Sequence, residues 1–302
     1  MRINRKGKIS EDFYVIGNPD APVYLLDGST PVLFDAGYTA LAYLYEQDIK
    51  NVLGERTPAY LFITHAHFDH IGAAAYFKSL WPEMKIVGSA KSVEILARPN
   101  AVRLISTLNR EAGQLLLLGG LDSIHYGPFQ CFDIDMIPTA GETIELSSHC
   151  NVQALHTPGH TWDFMSYWVP EKKILVASEA VGCDDGTGYI VTEFLVDYDE
   201  YRRSLEALSR LDFEILCPGH RLVLTGEDAE GHVDRSLQYA ARYVAKVETI
   251  LLEEAGDMDR TVARIKAMEW DPLPSPKQPE QPYLLNTRAR VKTIWERMQR
   301  KN

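Results

Sequence analysis

Thr64-His65-Ala66-His67-Phe68-Asp69-His70 sets three histidines and one aspartate into six consecutive positions. His65 and His67 are two apart, so on an extended segment their side chains share a face. Asp69 and His70 follow where the chain is expected to turn into a helix. The segment can therefore offer two ligands to one ion and two to a neighbouring ion. Imidazole and carboxylate donors suit zinc, iron or manganese. Only nine histidines occur in 302 residues, and three in one short window stand far above a chance polar turn.

Working outward, Tyr60-Leu61-Phe62-Ile63 is an apolar run that stops at Thr64, which reads as a buried strand delivering the histidines at its end. The same device recurs downstream. Thr157-Pro158-Gly159-His160 and Cys217-Pro218-Gly219-His220 each put a histidine after a strand and a Pro-Gly turn. Between them Ile174-Leu175-Val176-Ala177-Ser178-Glu179 is a buried-looking strand ending in a carboxylate, well placed to bridge two metals.

Further strands are expected at 23–26 and 31–34, flanking the turn Asp27-Gly28-Ser29-Thr30, and at 84–88, 131–137, 143–146, 152–156, 165–169, 173–177 and 214–216, the last of the series. Apolar spacing predicts helices over 39–50, 70–81, 100–118 and 198–211. Past about residue 228 the texture is helical: 233–255, 259–269 and 284–299, with the proline-rich 271–282 expected to run extended. The expected division is 1–228, a catalytic domain, and 229–302, a helical extension covering the active site.

These motifs in this order (HxHxDH, TPGH, PGH) resemble the metallo-β-lactamase superfamily, specifically its hydroxyacylglutathione-hydrolase-like and lactonase-like branch. Pro31-Val32-Leu33-Phe34-Asp35-Ala36-Gly37 is similar to that family's early strand ending in Asp-x-Gly. The helical C-terminal region is similar in layout to PqsE-like members. The resemblance implies an α/β (α+β) αββα sandwich with the metals at one edge, and two divalent ions as cofactors. It assigns His65, His67 and His160 to one ion, Asp69, His70 and His220 to the other, and Glu179 to the bridging position. The family usually has Gly-Asp where this chain has Ser178-Glu179; Glu keeps the charge and is one methylene longer.

The chemistry implied is attack by a metal-bridging hydroxide on a small thioester, ester or lactone, with Asp69 orienting the nucleophile or accepting its proton. Gly-x-Ser-x-Gly is absent, which argues against an α/β-hydrolase. His67 stands where flavodiiron proteins place an acid, and Glu179 where some β-lactamases place a cysteine. The chain has no room for the inserted domain of RNA-processing members. Two alternatives stay open: a small-molecule phosphodiesterase, and a regulatory, partner-binding module with vestigial activity. Trp162, Phe164, Tyr189, Phe194 and Tyr283 are the candidate walls of a closed, partly apolar pocket. His156, Cys183, Cys217 and the Gly182–Gly188 loop are read as packing or loop positions, and His125, His149 and His232 receive no role.

Composition narrows the partners. The charge sum is −11, from 31 Lys and Arg against 42 Asp and Glu, which disfavours nucleic acid. Hydrophobic residues at 45% and charged residues at 24% are ordinary for a globular chain. No apolar run reaches membrane-spanning length, no signal peptide is visible, and the four cysteines contain no CxxC pair. A cytoplasmic protein with a small-molecule substrate is expected. The helices at 100–118 and 233–255 have apolar faces that serve either a homodimer or intramolecular packing.

Overall fold

The computed structural model describes residues 1–120, 127–185, 187–274 and 277–301. His125, Gly186 of the glycine-rich loop, and Ser275 and Pro276 of the proline-rich run lie outside the described residues. The chain forms two compact units. One comprises Met1–His156, Asp163–Ser178 and Asp212–Glu230; the other comprises Thr157–Trp162, Glu179–Leu211 and Gly231–Asn302.

The first unit is built on two sheets. One runs β2 (Gly7–Lys8), β3 (Phe13–Asn18), β4 (Ala21–Leu26), β5 (Val32–Phe34), β6 (Tyr60–Phe62) and β7 (Lys85–Val87), antiparallel to β5 and parallel from β5 to β7. The other is ordered β1 (Arg2–Ile3), β15 (Val223–Thr225), β14 (Ile215–Cys217), β11 (Ile174–Val176), β10 (Met165–Val169), β9 (Cys150–His156) and β8 (Thr143–Ser147). A hairpin of β12 (Cys183–Asp184) and β13 (Ile190–Val191) belongs to the second unit.

Strand alternation builds two cores. Tyr24 and Leu26 of β4 join Phe34, Phe62, Val152, Tyr167, Val176 and Cys217 between the sheets. Val23 and Leu25, one residue out of phase, face the helix side with Leu33 and Leu61. There they meet α1 (Ala42–Leu53) through Tyr45 and Ile49, α3 (Ala74–Leu80) through Phe77, and α5 (Pro99–Leu118) through Ile105; α2 (Phe68–Ile71) and α4 (Ala90–Leu96) complete this layer. The expected α/β sandwich is the observed fold class.

Three expectations are corrected. The segment 131–137 is not a strand: its one bridge is Met136 to Val87. Its alternation is real but serves packing, with Phe132 and Ile134 against the helix-side core, while Asp135 and Met136 N–H both donate to the Ile86 carbonyl. The last strand is β15, not β14. The helix expected over 70–81 is broken at Gly72. Its N–H donates to Gly37 O at 2.7 Å, and a Cβ there would lie 2.4 Å from Thr39 N and 2.5 Å from Gly37 O. The chain leaves the helix to pack its backbone on the turn after β5.

The second unit is mostly helical: α6 (Tyr198–Leu208), α8 (His232–Glu253), α9 (Met258–Glu269) and α10 (Glu280–Lys301), with the short α7 (Glu227–Glu230) falling in the first. Asp197 and Asp257 cap α6 and α9 by accepting the N–H groups of Glu200 and Arg260. Arg297 of α10 clamps Asp199 of α6 at 3.1 Å and Glu248 of α8 at 3.0 Å. Among the described residues no helix is long and apolar enough to cross a membrane.

Two predictions follow from this packing. Gly159 has φ +132°, and a Cβ would fall 2.3 Å from Tyr201 Cα and 2.4 Å from its N. Gly159→Ala should cost about 2 kcal/mol or more, read by chemical denaturation; an unchanged midpoint would contradict the close approach. His232 is buried, its Nε2–H donating to the Val181 carbonyl at 3.0 Å, and burial pushes its pKa down from 6.5 to about 4. Unfolded, it takes up a proton near 6.5; folded, only near 4. Stability should therefore fall as pH drops through that window, by about 3 kcal/mol from this residue. Denaturation curves of His232→Gln across the same window should show a shallower pH dependence than wild type.

Candidate metal centre

The end of β6 is held on both sides. Ile63 N–H donates to Val87 O at 2.9 Å, the Tyr167 hydroxyl donates to Ile63 O at 2.7 Å, and Met165 N–H donates to Thr64 O at 2.7 Å. Ala66 N–H then donates to Asp163 Oδ2 at 2.8 Å, which also accepts the Ser92 hydroxyl at 2.8 Å. His67, extended at φ −79° and ψ 152°, is the N-cap of α2, so the expected turn into a helix occurs at Phe68. The loop brings its histidines together: ring centroids are 4.4 Å apart for His65 and His67, and 4.3 Å for His65 and His70.

Beneath them lies Asp35, 1% exposed, at the end of β5 with φ +58°. Its Oδ1 accepts the Thr64 N–H at 2.8 Å, both oxygens lie within 3.0 Å of the Thr64 hydroxyl, and Oδ2 accepts His70 Nδ1–H at 2.8 Å. With its hydrogen given to the carboxylate, the Thr64 oxygen accepts His65 Nδ1–H at 3.0 Å. One buried carboxylate thus sets the ring orientation of two histidines, directly for His70 and through Thr64 for His65.

Asp69, His70 and His220 form a group whose ligand atoms lie within 4.8 Å of one another. His220 Nε2 is 3.7 Å from Asp69 Oδ2, and His70 Nε2 is 4.0 Å from Asp69 Oδ1. Donors of one ion, each bonded at about 2.0–2.2 Å, stand roughly 3–4 Å apart. His220 follows β14 as expected, and its Nδ1–H donates to Asp20 O at 2.6 Å. The donor chemistry fits a divalent cation: in His70 and His220 the Nδ1 proton is committed to an oxygen, so the lone pair sits on Nε2, the atom turned to Asp69.

In the second unit His160, 1% exposed, has the same arrangement, its Nδ1–H donating to Glu193 O at 2.6 Å. Glu179, 3% exposed, sits in the 3-10 turn Ser178–Val181, and its carbonyl accepts the Tyr201 hydroxyl at 3.1 Å. The preceding Ser178 has φ +46°, a left-handed conformation that glycine adopts freely. Gly219 makes room for that serine, since a Cβ there would lie 2.4 Å from Ser178 Oγ.

The candidate pocket walls separate. Phe164 is fully buried and stacks on the His65 ring at 4.5 Å. Trp162 is 47% exposed. Phe194 is fully buried against Tyr198, Tyr201 and Tyr243, Tyr189 meets Tyr239 edge-on, and Tyr283 lies against Trp270. Cys217 is core, its thiol pKa pushed well up by burial, and all four cysteines are free.

Sequence reading gave no role to three residues that shape this site. Asp35 was visible in the Asp-x-Gly motif. Asp163 stands three residues past His160, a visible acid with no pattern to mark it. Asn109 accepts the Thr39 N–H with Oδ1 and donates to Phe68 O with Nδ2, both at 3.0 Å, tying α5 to the histidine loop. No local signal reveals it, because its partners lie 70 and 41 residues away.

Comparison with known proteins agrees with this geometry. The profile of the metallo-beta-lactamase superfamily matches residues 17–220. A hydroxyacylglutathione hydrolase from Saccharophagus degradans is 25% identical over 221 residues, 71% of this chain and 66% of that protein. An atrochrysone carboxyl ACP thioesterase from Aspergillus fumigatus is 21% identical over 260 residues, 85% of this chain. The chain spans just under two thirds of the length of each, 66%. A metallo-beta-lactamase family protein of known structure from Thermus thermophilus superposes with a TM-score of 0.64 at 16% identity, covering 97% of this chain and 95% of that one. With a buried Asp35 aligning the histidines of HxHxDH, and a profile match over most of the chain, the protein belongs to the metallo-beta-lactamase superfamily.

Proposed function

We propose that this chain is a metal-dependent hydrolase of small thioesters, esters or lactones. The observation that carries the reading is the presetting of His70, His160 and His220: each commits Nδ1–H to an oxygen acceptor and keeps the Nε2 lone pair for a cation. His65, His67 and His160 would hold one ion, Asp69, His70 and His220 the other, and Glu179 would bridge. The names of the two enzyme relatives favour acyl transfer to water over phosphodiester chemistry. The ions, when bound, supply Lewis acidity toward the scissile carbonyl and lower the pKa of a water toward neutrality.

The chain's own groups do the remaining work. Asp69 turns one oxygen toward His70 and the other toward His220, and is partly exposed. In this reading it orients the attacking water and accepts its proton. Asp35 keeps His70 in the Nδ1–H tautomer. Tyr167 and Met165 hold the backbone of Ile63 and Thr64 where the histidine loop begins. In this reading the substrate is a small molecule.

Elemental mass spectrometry of the untagged protein should find about two divalent ions per chain. His67→Ala and Glu179→Ala should each lose at least one of them, together with hydrolysis of a thioester, ester and lactone panel. Full metal content and activity in Glu179→Ala would remove Glu179 from the site; absence of metal after reconstitution would defeat the hydrolase reading. Asp35→Asn is a sharper probe. Asn tolerates the positive φ, but its amide cannot accept from Thr64 and His70 together. His70 should lose its preferred tautomer, and metal affinity should fall about 10- to 100-fold, measured by competition with a chelator. An unchanged affinity would refute the orienting role.

A further inference from the structure

The second unit buries a cation that its own residues leave poorly paired. Arg290 of α10 is 2% exposed. A guanidinium has five N–H donors. Here one long bond is made, from Nη2 to Thr287 Oγ1 at 3.4 Å, and Nε finds no acceptor among the described residues. The group lies over the Tyr243 ring, 4.3 Å from its centroid, and the buried Tyr243 hydroxyl also lacks a hydrogen-bond partner among the described residues.

The two acids that act on it are paired with other groups. Glu193 Oε1 accepts from Asn286 Nδ2 at 2.9 Å, and Glu269 pairs with Lys246 Nζ at 2.5 Å. They act on Arg290 at longer range and help hold it protonated. Burial pushes the Tyr189 hydroxyl up to about 12, with Glu269 adding to the rise and Arg290 opposing it, so Tyr189 shares this neighbourhood. A buried charge without a close partner is expensive, and native interiors seldom leave such donors unused. Within this unit Glu193 connects the cluster to His160: its carbonyl accepts from His160, and its carboxylate accepts from Asn286, one turn before Arg290 on α10.

We infer that Arg290 and the Tyr243 hydroxyl recognise a carboxylate on the acyl body of the substrate, so that the substrate class is acyl esters or thioesters carrying a remote carboxylate. That the ligand is a substrate rests on the hydrolase reading; that it is an organic carboxylate rests on the cluster itself. One guanidinium fork matches one carboxylate. Glu193 and Glu269 oppose a second negative charge, which selects a monoanion over a phosphate dianion. The surrounding Tyr189, Tyr243 and Phe194 rings suit an apolar body.

The test titrates acetate, pentanoate and phenylacetate, each beside its amide, into the metal-loaded protein by calorimetry. At least one acid should bind about tenfold or more tightly than its amide. Arg290→Met, which replaces a buried cation with an apolar chain and so tends to spare the fold, should bring acid and amide together. Arg290→Lys should restore part of the preference, and Tyr243→Phe should fall between wild type and Arg290→Met. Equal binding of acids and amides by wild type overturns the inference. So does acid binding that survives Arg290→Met, and its loss on chelation would assign the acid to the metals. Succinyl and pentanoyl thioesters of N-acetylcysteamine separate the two readings. Arg290-dependent acid binding without hydrolysis of either thioester would sink the hydrolase reading alone. Hydrolysis of both at equal kcat/KM, unaffected by Arg290→Met, would sink the carboxylate site alone.

Discussion

The histidine loop of the candidate centre leans on one buried carboxylate. Asp35 is almost fully enclosed, where an ionised group is costly unless hydrogen bonds repay its lost hydration. The repayment comes from the Thr64 N–H, the Thr64 hydroxyl and His70 Nδ1–H, and bonds to a charged acceptor contribute about 1.5–3 kcal/mol each. The carboxylate and the ligand loop therefore need each other. The loop cannot shift without stranding Asp35, and His70 cannot turn over without losing its strongest partner. Its positive φ shows the backbone bent out of the strand to reach this position.

The same logic operates at successive distances from the histidines. Asp163 holds the backbone between His65 and His67, Asn109 holds the start of α2, and Tyr167 reaches from the second sheet to the end of β6. Each donor or acceptor is buried, so each would be expensive to leave unpaired. The histidine loop is pinned by groups drawn from both sheets and from the helix layer. The departure at Ser178-Glu179 fits within this frame. The serine accepts a left-handed backbone, and Gly219 yields the space for its hydroxyl.

The helical unit follows a different economy. Its core mixes aliphatic side chains with a cluster of aromatic rings, and its ion pairs, such as Arg297 with Asp199 and Glu248, sit toward its outside. Arg290 breaks that pattern by placing a buried cation over the Tyr243 ring. Hydrophobic packing alone would favour methionine or leucine at such a position, so the charge points to recognition rather than to stability.

The sequence alone determined the parts that depend on local spacing. HxHxDH, the two Pro-Gly-His turns and the acid three residues past β11 are legible because they are distinctive residue types at short separations. Strands β4, β5 and β6 and helices α5, α8 and α9 were equally plain, because alternation and the helical repeat are local signals. The segment 131–137 misled for the same reason: its alternation reports one packed face and cannot say whether a neighbouring strand completes the ladder. Gly72 broke an otherwise good helical pattern because a turn 35 residues earlier requires its N–H. Only the tertiary structure decided which groups orient the histidines and which cation is left poorly paired among the described residues. Asp35 meets His70, Asn109 meets Thr39, and Arg290 settles over Tyr243 through folding across tens of residues. Such pairings are selected by burial, which charges a price for every unsatisfied polar atom and is invisible until the chain has closed on itself.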